Sequence, residues 1–166
     1  KQYEPFKRKI IEWHNSGTNQ NFTHEMVVDI ARARAETHRT HFIPLIGKID
    51  YLIFDRSLYT SGVYQSNKNL TTLEIIRINL EEGAIRPEEG VIILSTPQVS
   101  RKRVDERRLK NNLYGLPSIH ETIEEITKRR MLYLELAKQH PELYLIDSTN
   151  KKEDEVFEEI KSKLKL

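Results

Sequence analysis

Apolar positions recur at near-helical spacing from 22 to 46, where Met26, Val27, Ile30, Ala31, Ala35, Phe42 and Leu45 fall close to one face. Thr23 suits the N-cap of this helix, and Pro44 lies near its end. The pattern then changes. Residues 50–54 (DYLIF) form a short apolar run of the kind a strand covered on both faces carries. Helical spacing returns near 57–66 and again near 70–82, closed by Gly83, before a second strand over 90–95. A long helical stretch over about 118–139 is broken by His140-Pro141, a third strand occupies 143–147, and an amphipathic helix covers about 151–164. Strands separated by helices predict βαβ units and therefore an α/β fold, a parallel sheet flanked by helices. Three strands are few for such a sheet, because each apolar run asks for two covered faces and two paired edges.

Composition sets bounds on this picture. The 166 residues suit a single domain with a real core. Charged residues make up 31% and hydrophobic ones 37%, with no run near the roughly twenty apolar residues of a bilayer span. The first residues, KQYEPFKRKIIEW, carry basic side chains without an apolar core or small-residue cleavage site, so no signal peptide is expected. With no cysteine, disulfides, thiolate catalysis and Cys-ligated zinc are excluded, which fits a reducing, cytoplasmic setting. A formal net charge of +2 is too small for a general nucleic-acid binder.

Candidate chemistry gathers at strand ends. Asp55 and Arg56 follow the 50–54 run, where open α/β sheets place ligands. A guanidinium there can grip phosphate oxygens, and a carboxylate can hold Mg²⁺ or accept a proton. An ordinary strand-end ion pair, with Ser57 capping the next helix, fits the same residues. Arg34 lies on the 22–46 helix with Arg32 and Arg39 nearby; one core-facing arginine needs a partner that phosphate would supply, whereas a solvated helix face needs none. After the 90–95 strand, RKRVDERRLK packs Arg101, Arg103, Arg107 and Arg108 into one segment. It suits a lid over polyphosphate, spanning 101–117, and equally a basic exposed helix or an RNA patch. The composition of 105–117, with charges, two Asn, Gly and Pro, reads as a mobile loop. His38 and His41 share a helix face at i, i+3, yet no third ligand follows at metal spacing. No Gly-x-Ser-x-Gly, Gly-x-Gly-x-x-Gly or Gly-x-x-x-x-Gly-Lys-Ser/Thr occurs.

Together these segments resemble the thymidylate kinases of the P-loop nucleoside-monophosphate kinase superfamily. DRSLYTSGVYQ, 55–65, keeps the spacing of the family's Asp-Arg-Tyr, polar pair and Tyr-Gln block. RAETH at 34–38 and FIPLI at 42–46 resemble its Arg-Ala-Glu/Gln-His helix and Pro-Ala-Leu segment. Ile85-Arg86-Pro87, the strand after it and Arg103 follow the run that leads to the family's lid, and KRRMLYLELAKQHPELYLIDST resembles its closing helix, His-Pro turn and strand. KQYEP, with Glu4, corresponds to an Arg-Glu-Pro at the end of the family's second strand. Two substitutions depart from the pattern: Ser57 replaces a Tyr, and Ile30 stands where a Phe commonly stacks on thymine.

The resemblance implies a three-layer P-loop NTPase fold and phosphoryl transfer from ATP to a nucleoside monophosphate, dTMP first, with Mg²⁺. Arg34 and Arg56 would then hold the acceptor phosphate, Asp55 the Mg²⁺, and Arg103, Arg107 and Arg108 the donor phosphates. Ile30, Thr60, Ser61, Tyr64, Gln65 and Glu4 would border the acceptor. The absent phosphate loop implies that a strand, the loop and a helix belong before Lys1, and that segments are missing near PFKRK and SNKNL. A homodimer through 22–42 and 57–80 is implied too, with no membrane or nucleic-acid partner. Two alternatives stand beside this reading: a deoxynucleoside or other nucleotide kinase of the superfamily, and a noncatalytic nucleotide- or RNA-binding protein on a kinase-like scaffold.

Overall fold

The structure, a computed structural model, describes residues 22–111 and 121–166. The chain divides into two compact units, the first ending at Pro87 and the second beginning at Glu88.

In the first unit, helix α1 spans His24–Thr37 and is capped by Thr23, whose hydroxyl accepts from the Met26 N–H. Beyond Thr37 the helix loosens into a π-helical turn, His38–Phe42, and a 3₁₀ turn, Ile43–Leu45. The sequence accounts for this. Pro44 lacks an N–H and its ring crowds the preceding turn, while the Thr37 and Thr40 hydroxyls donate back to the Ala33 and Glu36 carbonyls.

Helix α2 spans Leu58–Gln65 under the Ser57 cap, and helix α3 spans Thr72–Glu81. Thr71 and Glu74 form a reciprocal capping box at the start of α3, and its hydrogen bonds hold the Glu74 carboxyl below its usual range. Val27 and Ala31 of α1, Ile75 and Ile78 of α3, and Leu70 before it form the core of this unit. Each buried Ile or Val there contributes about 1.5–3 kcal/mol.

The run 50–54, expected as a strand, is not hydrogen-bonded into a sheet among the described residues. Its alternation survives: Leu52 and Phe54 are half-buried, whereas Tyr51 is 65% and Ile53 82% exposed. One side is covered and no described strand lies alongside it, which is what a ladder would require.

In the second unit, β1 (Gly90–Leu94) pairs in parallel with β2 (Leu143–Asp147), in a register that sets Ile92 beside Leu145 and Leu94 beside Asp147. Helix α4 spans Pro97–Lys110, α5 Ile123–Gln139 and α6 Glu153–Leu164. Leu136 of α5 is buried, as are Ile92, Leu143 and Ile146 of the strands. The expected α/β character with parallel strands is present, as a two-stranded sheet among the described residues. Residues 105–110, expected in a mobile loop, are helical; Arg101–Asp105 and Lys102–Glu106 pairs at i, i+4 support that helix.

Gly62 is where α2 meets α3 most closely. A Cβ there would sit 3.0 Å from the Thr72 carbonyl oxygen and from the Ile76 side chain. Gly62→Ala gains helix propensity of about 1 kcal/mol, but overpacking against backbone costs about 1–3 kcal/mol. Net destabilisation is expected, read as a lower denaturant midpoint at unchanged slope; an unchanged or higher midpoint contradicts this packing.

Candidate functional site

Three arginines on or beside α1 have different fates. Arg32 pairs with Glu82 at 3.0 Å and Arg39 with Glu36, both on the solvated face. Arg34 turns inward. Its Nη1–H donates to the Asn79 Oδ1 on α3 and its Nη2–H to the Ser61 Oγ on α2, the latter at 2.7 Å. Burial pushes its pKa down, and no carboxylate pairs with it among the described residues. A half-buried cation held by two neutral oxygens keeps its charge available, which suits an electron-rich ligand group.

Arg56 is held differently. Its φ of 71° lies in the left-handed region, which costs a bulky residue about 1–2 kcal/mol. That backbone carries its guanidinium over the Tyr64 ring, 5.9 Å from the centroid. Asp55 and Arg56 form no ion pair with each other, so the ordinary strand-end pair is not what this dipeptide makes; Ser57 does cap α2, accepting from the Tyr59 N–H.

Ser61 and Tyr64 are three residues apart on α2, hence neighbours on one helix face. The two arginines therefore engage adjacent positions of the same helix. Around them Thr60 is half-buried, and Gln65 is buried with its Oε1 unpartnered among the described residues. Ile30, also half-buried, lies one turn before Arg34 on α1. Asp55 is exposed and has no ion-pair partner among the described residues. Glu4 lies outside the described residues.

Two residues to which the sequence pattern gave no place in this site belong to the arrangement. Asn79 is fully buried, on the apolar face of α3. His38 has a bracing role: its Nδ1 accepts from the Ile85 N–H at 2.8 Å, and its ring stacks on Phe54 with centroids 5.2 Å apart. It thereby braces the residue that precedes Asp55. Burial first, and then the Arg34 charge, push its pKa down, in keeping with a neutral ring that accepts.

In the second unit, the strands end in a polar hub. The Ser148 hydroxyl donates to the Leu94 carbonyl and accepts from Arg103 Nη1–H at 3.1 Å, while Arg103 Nη2–H donates to the Ser148 carbonyl at 2.7 Å. Arg103 thus lies at the carboxyl ends of β1 and β2, the rim where α/β sheets bind ligands. Arg107 and Arg108 both pair with Glu121, at 2.9 and 3.4 Å, and Arg101 donates to the Glu121 carbonyl and pairs with Asp105. These cations are satisfied within their own unit. Residues 112–117 of the expected lid lie outside the described residues. Among the described residues no group of three or more His, Asp or Glu forms a metal cluster, and no helix is long and apolar enough to cross a membrane.

A family model described as thymidylate kinase matches residues 5–160. A protein named probable thymidylate kinase, from Thermococcus gammatolerans, is 30% identical over 125 residues, which cover 75% of this chain and 56% of that protein. The chain thus spans little more than half the length of this relative.

The His38 pKa is lowered from 6.5 on folding, so protons bind the unfolded chain more readily. The stability this confers is present in full above about pH 6.5 and is lost as pH falls toward the folded value. His38→Gln retains a neutral acceptor that does not titrate. Denaturant unfolding over a pH series is expected to show a shallower acid-side slope for the variant; an identical slope contradicts the assignment.

Proposed function

The chain belongs to the thymidylate kinase family, and from that premise we propose that the whole protein transfers the γ-phosphoryl group of ATP to dTMP. The observation that carries the reading is the arrangement on α2, where Ser61 receives Arg34 and Tyr64 underlies Arg56. Two cations reach neighbouring positions of one helix without carboxylate partners among the described residues, as an anionic, oxygen-rich acceptor requires.

In phosphoryl transfer the protein aligns the reactants, excludes water and neutralises charge. Arg56, exposed at the start of α2, holds the acceptor phosphate. Arg34 and Ser61 act together on another oxygen of the same nucleotide, because a shared hydrogen bond places both at one point. Thr60, Tyr64 and Gln65 border the sugar and base, the Gln65 Oε1, unpartnered among the described residues, offering an acceptor for a ligand donor. Ile30 packs on the base with an aliphatic surface.

Asp55 supplies a hard, exposed oxygen that fits Mg²⁺, which keeps most of its shell for phosphate and water. Bound with ATP, the metal would neutralise charge on the transferring phosphates. Arg103, Arg107 and Arg108 act on the donor phosphates after exchanging Ser148 and Glu121 for them. The resemblance further supports a P-loop NTPase fold, a cytoplasmic setting and a homodimer through α1, α2 and α3. Ile30 favours a second reading, a broader acceptor range, since it lacks the aromatic face that selects thymine.

Assay of the full-length protein with ATP and dTMP, dUMP, CMP or thymidine tests both readings, dTMP being expected as the best acceptor. Loss of one charge-assisted contact costs about 2–4 kcal/mol in the transition state. Arg56→Ala is accordingly expected to lower dTMP turnover by about thirtyfold to several hundredfold. Arg56→Gly should do the same without loss of stability, because glycine adopts the φ of 71° freely. Turnover equal to the parent's removes Arg56 from the mechanism.

A further inference from the structure

We infer that Asn79 is a positioning residue for the acceptor, acting through Arg34; the inference rests on the reading of Arg34 as an acceptor-binding residue. Asn79 is 0% exposed on α3, between Ile75, Ile76 and Ile78, where the helix's own packing would favour another aliphatic side chain. A buried carboxamide is retained at such a position only if its bonds are made. They are. Its Nδ2–H donates to the Ile75 carbonyl at 2.8 Å, one turn earlier in the same helix. That bond fixes the rotamer and leaves Oδ1 as the end that faces Arg34 Nη1. The backbone carbonyl of Asn79 also accepts from the Ala84 N–H at 2.9 Å, tying this residue to the turn that closes α3.

The chemical choice of amide over carboxylate matters as much as the geometry. An aspartate in place of Asn79 would be nearly isosteric, but its charge would neutralise Arg34 and compete with any electron-rich ligand group. Asn79 orients the guanidinium while leaving its positive charge uncompensated, and Ser61 does the same from α2. Together they form a neutral cradle for a cation that has to act on a ligand.

The test uses the full-length protein, dTMP and ATP. Asn79→Asp is expected to raise the KM for dTMP at least tenfold and to weaken dTMP binding in titration calorimetry by a similar factor. The KM for ATP should stay close to the parent's. The melting temperature should fall, because a carboxylate cannot donate to the Ile75 carbonyl, so dTMP binding is read well below the variant's melting temperature, where a merely structural role for Asn79 would leave it unchanged. In an Arg34→Met background the same substitution should add no further loss. If the Asn79→Asp variant binds dTMP as tightly as the parent, or if its loss persists undiminished in the Arg34→Met background, the positioning role is wrong. A parent protein that binds no dTMP would instead overturn the acceptor reading itself, and the inference with it.

Discussion

A guanidinium taken partly out of water has to be answered by something, and in this protein the answer is two neutral oxygens. Arg34 leaves α1, meets Asn79 on α3 and Ser61 on α2, and finds no carboxylate among the described residues. Three helices converge on that cation. The core of the first unit has the same members: Val27 and Ala31 on α1 pack against Ile75 and Ile78 on α3, so the apolar contact that holds the helices together also sets the distance across which Arg34 reaches. A full ion pair at this position would hold the charge in the protein for itself. The polar, uncharged cradle holds its direction and leaves its field outward.

The second cation reaches the same helix by a backbone route. Arg56 adopts a left-handed conformation that a side chain of its size rarely takes, immediately before the Ser57 cap of α2. Strain of this kind persists where surrounding structure over-determines it, and such positions cluster at functional sites. His38 belongs to the same support. Its ring accepts from Ile85 and stacks on Phe54, so the chain entering Asp55 and Arg56 is braced from α1 and from the 84–87 segment.

Local features were legible from the residues alone. Thr23 and Ser57 cap helices because their hydroxyls reach the free N–H groups of a first turn, a relation that spans only two or three residues. The Asp55 to Gln65 block and Arg34 were visible as candidates for the same reason of spacing. Long-range relations were less legible. Strand pairing is non-local, and the 50–54 run carries strand-like alternation without a described partner. The Arg34–Asn79 bond links residues 45 positions apart, and the His38–Ile85 bond links residues 47 apart. A signal for Asn79 did exist: positions 75, 78 and 79 share one helix face, and an amide among two isoleucines on that face is a polar group awaiting a partner. The basic segment departs from expectation in the other direction. Its i, i+4 acidic partners make 105–110 a helix, and Glu121, outside that helix, gathers Arg107 and Arg108.

A crystal structure of the protein with dTMP bound tests most directly whether the two arginines serve one ligand. A single nucleotide is expected in contact with the guanidinium groups of both Arg34 and Arg56, along the α2 face that carries Ser61 and Tyr64. A nucleotide bound elsewhere, or one that touches either arginine while the other points away from it, would mean that the two arginines do not serve one ligand.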